Sequence, residues 1–265
     1  NPSLGHTVQL PDLKERYNSD LAKGPRYVMD FRRFHLCQYV GDAASWIPVD
    51  QWDACESTAV DLTGSRAVVG VDLSKSRDLS AVVALVEGVD GAVVVEGWYL
   101  YPEENAAERE RELRMPLLKW GLEGHVQLCP GRTIDYTLVH DRIRQLCDRY
   151  RVGRIYYDPY MTGWGERELE MEGMPVMGLP QRITELSPGV LKIEDMVASG
   201  SLSHDGDPVL RQAVQNAKAW QDTNLNARLC KKRSEGLIDP AVALTIAGRA
   251  WVDDELDGGS ECPIV

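Results

Sequence analysis

Three aspartates in this 265-residue chain stand at junctions between apolar runs and turns: Asp72 in "VVGVDLSKS", Asp158 in "IYYDPY" and Asp239 in "GLIDPAVAL". A carboxylate at the rim of an apolar strand must be solvated, paired or bound to a cation, because burying it alone costs several kcal/mol or more. Each has a structural reading by itself. Asp72 could cap a hairpin through the N–H of Ser74 or Lys75, Asp158–Pro159 is a common turn pair, and Asp239–Pro240 fits a helix start. Three carboxylates converging on one point would repel one another unless a cation intervened. Mg²⁺ or Mn²⁺, hard ions that prefer carboxylate oxygen, are the natural candidates. Two such ions can activate a water and stabilise the leaving oxygen of a phosphodiester.

The elements that would position these acids can be read from periodicity. Arg66–Leu73 is a nearly continuous apolar run, as expected of a strand covered on both faces, and Leu79–Glu87 and Ala92–Tyr101 follow after short turns. Three sequential antiparallel strands are expected. A helix is expected over Asn105–Trp120, then an amphipathic one over Ile134–Tyr150, then the strand that ends in Asp158. Further helices are expected near Trp164–Glu172, over Ser187–Ser199 with Ser187 as N-cap, over Asp207–Trp220 and over Ile238–Trp251. Pro175–Leu179 and Asn226–Lys232 read as short extended segments. The order β-β-β-α-β-α predicts an α/β ribonuclease H-like mixed sheet with helices on both faces. If strands one and four are neighbours, Asp72 and Asp158 project from adjacent strand ends, and a helix crossing there brings Asp239 to them.

Composition narrows the function class. Hydrophobic residues make up 43% and charged residues 26%, ordinary values for a globular chain. No stretch approaches the ~20 apolar residues of a membrane span, and no secretory leader is visible. The six cysteines include no C-x-x-C pair and the five histidines show no ligand spacing, which argues against structural zinc. A net charge of −12 argues mildly against nucleic acid, but the charge is uneven and "CKKRSEG" is locally basic. Lys75 and Arg77 beside Asp72, and Lys231, Lys232 and Arg233 before Asp239, are the candidate phosphate contacts. Trp164, after Asp158, is a weaker one.

Taken in order, "GVDLSKSRDLSAVVAL", "IYYDPY", "DPVLRQAVQNA" and "LIDPAVALTIAGRAW" resemble the C-terminal nuclease domain of tailed-bacteriophage large terminase subunits. The upstream "FRRFHLCQYVGDAASWIPVDQW" is similar to the region that joins the family's ATPase domain to its nuclease. The resemblance implies a ribonuclease H-like endonuclease that cuts concatemeric double-stranded DNA with two divalent ions, Mg²⁺ or Mn²⁺, in the cytoplasm of an infected bacterium. Its acidic residues fall on Asp72, Asp158 and Asp239. Asp78 fits the family's "D-[LT]-[ST]-A" pattern as a supporting residue. Implied partners are DNA, the ATPase domain of the full-length chain, the small terminase subunit and the portal, with no membrane. No G-x-x-x-x-G-K-[ST] phosphate loop is present, so the motor lies outside this stretch. The expected organisation is a helical arm or linker over 1–60, the nuclease over 61–252 and an acidic flexible tail over 253–265.

Other readings differ in class. A Holliday-junction resolvase or transposase-like nuclease shares the chemistry and differs in substrate. An actin-like ATPase or sugar kinase needs a second aspartate–glycine hairpin that the chain after Gly173 does not supply. A non-catalytic module docking on a motor or portal would suit the Trp-rich arm, but retention of three aspartates counts against it.

Overall fold

A computed structural model describes residues 9–23, 27, 31, 35–36, 45–58, 60–113, 115–160, 163–231, 234 and 236–258. Its centre is a mixed sheet of seven strands. β1 (Arg66–Asp72), β2 (Ser80–Glu87) and β3 (Val93–Pro102) form the expected antiparallel meander, and β5 (Arg151–Tyr157) lies parallel to β1 on its other side. After the short helix α6 (Glu166–Met171), β6 (Val176–Gly178) continues parallel to β5. Two short strands missing from the sequence reading, β4 (Gln127–Cys129) and β7 (Leu202–His204), pair parallel with opposite ends of β3. Three-residue strands carry too little alternation to be read from periodicity. The path across the sheet is β4-β3-β2-β1-β5-β6, which makes β1 central.

Helices cover both faces, which explains why β1 is buried along all but its first residue. On one face α5 (Tyr136–Arg149) packs Val139, Ile143 and Leu146 against Val69, Val71 and Ile155. On the other lie α7 (Ile183–Ser199), α8 (Pro208–Asn216) and α9 (Asp239–Leu256), sharing a core with Val68, Val83 and Leu85. α9 crosses β1, β2 and β5 directly. It comes close because both partners lack bulk at the crossing. A Cβ built on Gly70 would stand 2.2 Å from the Ala243 carbonyl oxygen and 2.3 Å from the Ala247 nitrogen. Gly189 of α7 is similarly tight, 2.1 Å from the Thr245 carbonyl oxygen. The small-residue run "AVALTIAGRA" is therefore a close-packing surface.

Several boundaries differ from expectation. The helix expected over Asn105–Trp120 is two, α3 (Glu103–Leu113) and α4 (Leu117–Glu123), because Pro116 cannot continue the first and instead precedes the second. Ser187 does not cap α7. The helix begins at Ile183 with Pro188 inside it, and Ser187 accepts a hydrogen bond from the Ala227 N–H at 3.0 Å. α8 stops at Asn216 because the Ala217 carbonyl accepts from the Trp46 N–H instead of from a next helical turn. The chain then forms a separate hairpin, β8 (Ala219–Gln221) with β9 (Ala227–Leu229).

The ends also differ. In the segment expected as an arm, α1 (Leu10–Lys23) has Pro11 in its first turn, while α2 (Val49–Asp53) belongs to the main core. Trp52 is fully buried and stacks on His204, and Arg211 donates two bonds to Asp53, at 2.6 and 2.7 Å. The segment expected as a tail from 253 begins inside α9. Asp254 is buried against Arg66 at 2.6 Å, and Asp253 accepts from the Tyr156 hydroxyl at 2.7 Å. No helix among the described residues is long and apolar enough to cross a membrane.

Candidate active site

Strand alternation decides where Asp72 points. Side chains two apart share a face, so Asp72 lies on the side of Gly70, which is the side of α9. Asp239 is the first residue of α9. Its carboxylate and that of Asp72 meet on one ammonium: Lys231 Nζ lies 2.6 Å from Asp239 Oδ1 and 3.2 Å from Asp72 Oδ2. Both acids are buried, at 5% exposure for Asp72 and 2% for Asp239.

The alternative local roles of these two residues do not form. The Ser74 N–H that Asp72 could have capped donates to Ser80 Oγ at 3.0 Å. The N-cap position of α9 belongs to Ile238, not to Asp239, which is the first helical residue. Asp158 differs. It follows Tyr157, which pairs with Val71, so it stands beside Asp72 at the adjacent strand end. Its Oδ1 accepts from the Tyr160 N–H at 2.9 Å, closing the expected turn. Among the described residues no three His, Cys, Asp or Glu side chains stand as a ready metal cluster. The arrangement is two buried carboxylates on a lysine, with Asp158 beside them holding its turn.

Electrostatics follow from burial. Desolvation pushes the Asp72 carboxyl up to about 7, Lys231 opposes it, and Asp239 and Asp158 add to it. Asp239 is raised for the same first reason, again opposed by Lys231, with Asp78 adding. Lys231 is held charged by the two carboxylates, although partial loss of water around its ammonium disfavours the charge. An Asp carboxyl higher in the folded state than the 3.8 of the free side chain binds its proton more tightly when folded. Its contribution to stability is then present at low pH and falls as pH rises from about 4 to about 7. Metal-free thermal melts should show this loss between pH 4 and pH 7, and Asp72→Asn should reduce it. An equal loss in both proteins would contradict the shift.

The loop between β1 and β2 is fixed by its carbonyls. Ser74 accepts from the Tyr136 hydroxyl, Lys75 from the Ile134 N–H, Ser76 from Asn105 Nδ2 and Arg77 from the Tyr101 hydroxyl. Lys75 and Arg77 are thereby presented, exposed, from a rigid loop next to Asp72. Asp78, in the same loop, pairs with Arg109 at 3.2 Å, and Arg109 also holds Glu112. Sequence reasoning did not find Arg109, Asn105, Tyr101 or Tyr136. Arg109 sits in a run of alternating Glu and Arg that reads as a solvated helix face, so nothing marked it. Lys231, expected to meet phosphate, turns instead to the carboxylates. Lys232 and Arg233 lie outside the described residues. Trp164 is 2% exposed and packs edge-on to Tyr157, so it belongs to the core rather than to a binding rim.

A mixed sheet of this order, with helices on both faces and acids at the ends of its first and fourth sequential main strands, defines a ribonuclease H-like α/β protein. The chain matches the family "Terminase large subunit, endonuclease domain" over residues 1–254, and it belongs to that family. It is 26% identical over 249 residues to the terminase large subunit of Enterobacteria phage HK97, covering 93% of this chain and 49% of that protein. It thus spans about half the length of that relative. The crystal structure of the HK97 large terminase superposes with a TM-score of 0.72 at 26% identity, covering 94% of this chain and 52% of the other. The large terminase of a thermophilic bacteriophage shares the fold at a TM-score of 0.52 and 11% identity, covering 95% of this chain and 54% of the other.

Proposed function

We propose that this chain is the divalent-metal-dependent endonuclease part of a packaging terminase, cutting concatemeric double-stranded phage DNA in the host cytoplasm. The observation that carries the reading is the meeting of Asp72 and Asp239, from a strand end and a helix start, around one cation. The donors are hard oxygens, the position already attracts positive charge, and Asp158 adds a third carboxylate at the neighbouring strand end. This set fits Mg²⁺ or Mn²⁺. Asp72, Asp158 and Asp239 would hold two such ions, whose chemistry when bound is to activate a water and stabilise the leaving oxygen. Asp78 and Arg109 fix the loop behind them, and Lys75 and Arg77 take phosphates of the bound duplex. The wider setting comes with the family: an ATPase domain joined through residues 1–60, a small subunit and a portal as partners.

Nicking of supercoiled plasmid tests this reading. Cleavage is expected in Mn²⁺ or Mg²⁺ and none in EDTA, and equal cleavage in both would overturn it. Gel shifts in Ca²⁺ should show weak binding that falls with salt on a shallow slope. Each phosphate contact adds about −0.9 to the logarithmic slope, and a chain of net charge −12 has few to offer. Tight, salt-insensitive binding would contradict these contacts.

A further inference from the structure

We propose that Lys231 is a built-in placeholder cation: its ammonium holds Asp72 and Asp239 together in the metal-free protein and must leave them for divalent ions to bind. The inference rests on the metal reading above and assigns Lys231 a different role from a standing phosphate contact. Two nearly dry carboxylates this close would not remain together unpaired, since an uncompensated buried charge is strongly destabilising. The ammonium supplies the compensation at contact distance from both.

Of the three groups the lysine is the one able to depart. Its side chain is 52% exposed, against 8% and 3% for the two acids. The preceding residue is tied down: the Cys230 N–H donates to the Lys218 carbonyl, and Ser234 donates to Cys230 through both N–H and Oγ. A flexible four-carbon stem next to this anchor can swing its charge into solvent without moving either aspartate. One positive charge against two negative also leaves the pair under-neutralised, and Asp158 adds to the deficit. A divalent ion meets that demand better than an ammonium.

Calorimetric titration with MnCl₂, and thermal melts in EDTA and in Mn²⁺, on wild type, Lys231→Met and Asp72→Asn test the proposal. Lys231→Met should melt below wild type in EDTA, gain more on adding Mn²⁺, and bind Mn²⁺ about tenfold more tightly because a competing charge is gone. A variant that folds only with Mn²⁺ gives the same answer. If it folds in neither condition, Lys231→Gln, which keeps a donor without the charge, should show the same order of affinities. Binding no tighter than wild type, while Asp72→Asn abolishes it, would overturn the placeholder and leave the metal site standing. If neither wild type nor the lysine variants bind Mn²⁺, the metal reading itself fails.

Discussion

Asp72→Asn is expected to lower metal-dependent plasmid cleavage by about 10³-fold or more, the weight of several kcal/mol of lost metal-borne stabilisation. The substitution keeps the size and most of the hydrogen bonding of the side chain and removes one negative charge. Were Asp72 only a turn residue, asparagine would serve nearly as well. The turn has no need of it, because Ser80 already receives the Ser74 N–H. Without metal the variant should melt at or above the wild-type temperature at pH 8, since an ionised buried carboxylate beside Asp239 is itself unfavourable. Each kcal/mol relieved raises the midpoint by ~2–4 °C at this size. Asp239→Asn should behave alike. Asp158→Asn should also lose activity, with its turn preserved because asparagine can accept the same Tyr160 N–H. Cleavage in Mn²⁺ that survives all three substitutions would end the assignment.

Gly70→Ala is expected to be as damaging to the fold as Asp72→Asn is to catalysis. A single methyl at this position meets backbone atoms of α9 on two sides, at 2.2 and 2.3 Å. Backbone in the middle of a buried helix cannot turn away as a side-chain end can. Overpacking of cores costs typically ~1–3 kcal/mol where side chains can adjust, and this site belongs at or above the top of that range. The gain in backbone order on replacing glycine, about 0.4–1 kcal/mol, does not offset it. The midpoint of urea unfolding should fall accordingly, and any protein that folds should have a weakened site, because lifting α9 off β1 carries Asp239 away from Asp72. Unchanged stability would mean that α9 does not sit where it is described.

Local patterns in the chain were enough to show which segments form the main strands, that β1 is covered on both faces, and which three acids stand at element ends. Continuous apolar runs, short turns and a small-residue helix each leave their mark within ten or twenty residues. The order β-β-β-α-β-α was legible too, and Asp72 and Asp158 as strand-end neighbours follow from it by register. What remained depended on packing between distant segments. Lys231 was legible only as a basic residue near an acid, since a bond across 159 positions to Asp72 has no periodicity to reveal it. Arg109 was hidden among surface charges for the same reason. Ser187 and Pro188 gave a strong local signal for a helix start that the structure overrode, because the buried Ala227 N–H needed the hydroxyl more than the helix needed a cap. Gly70 stands where the two kinds of information meet. The strand pattern shows a glycine, but only the helix laid across it some 170 residues later in the chain, with Ala243 and Ala247 at the crossing, explains why nothing larger fits.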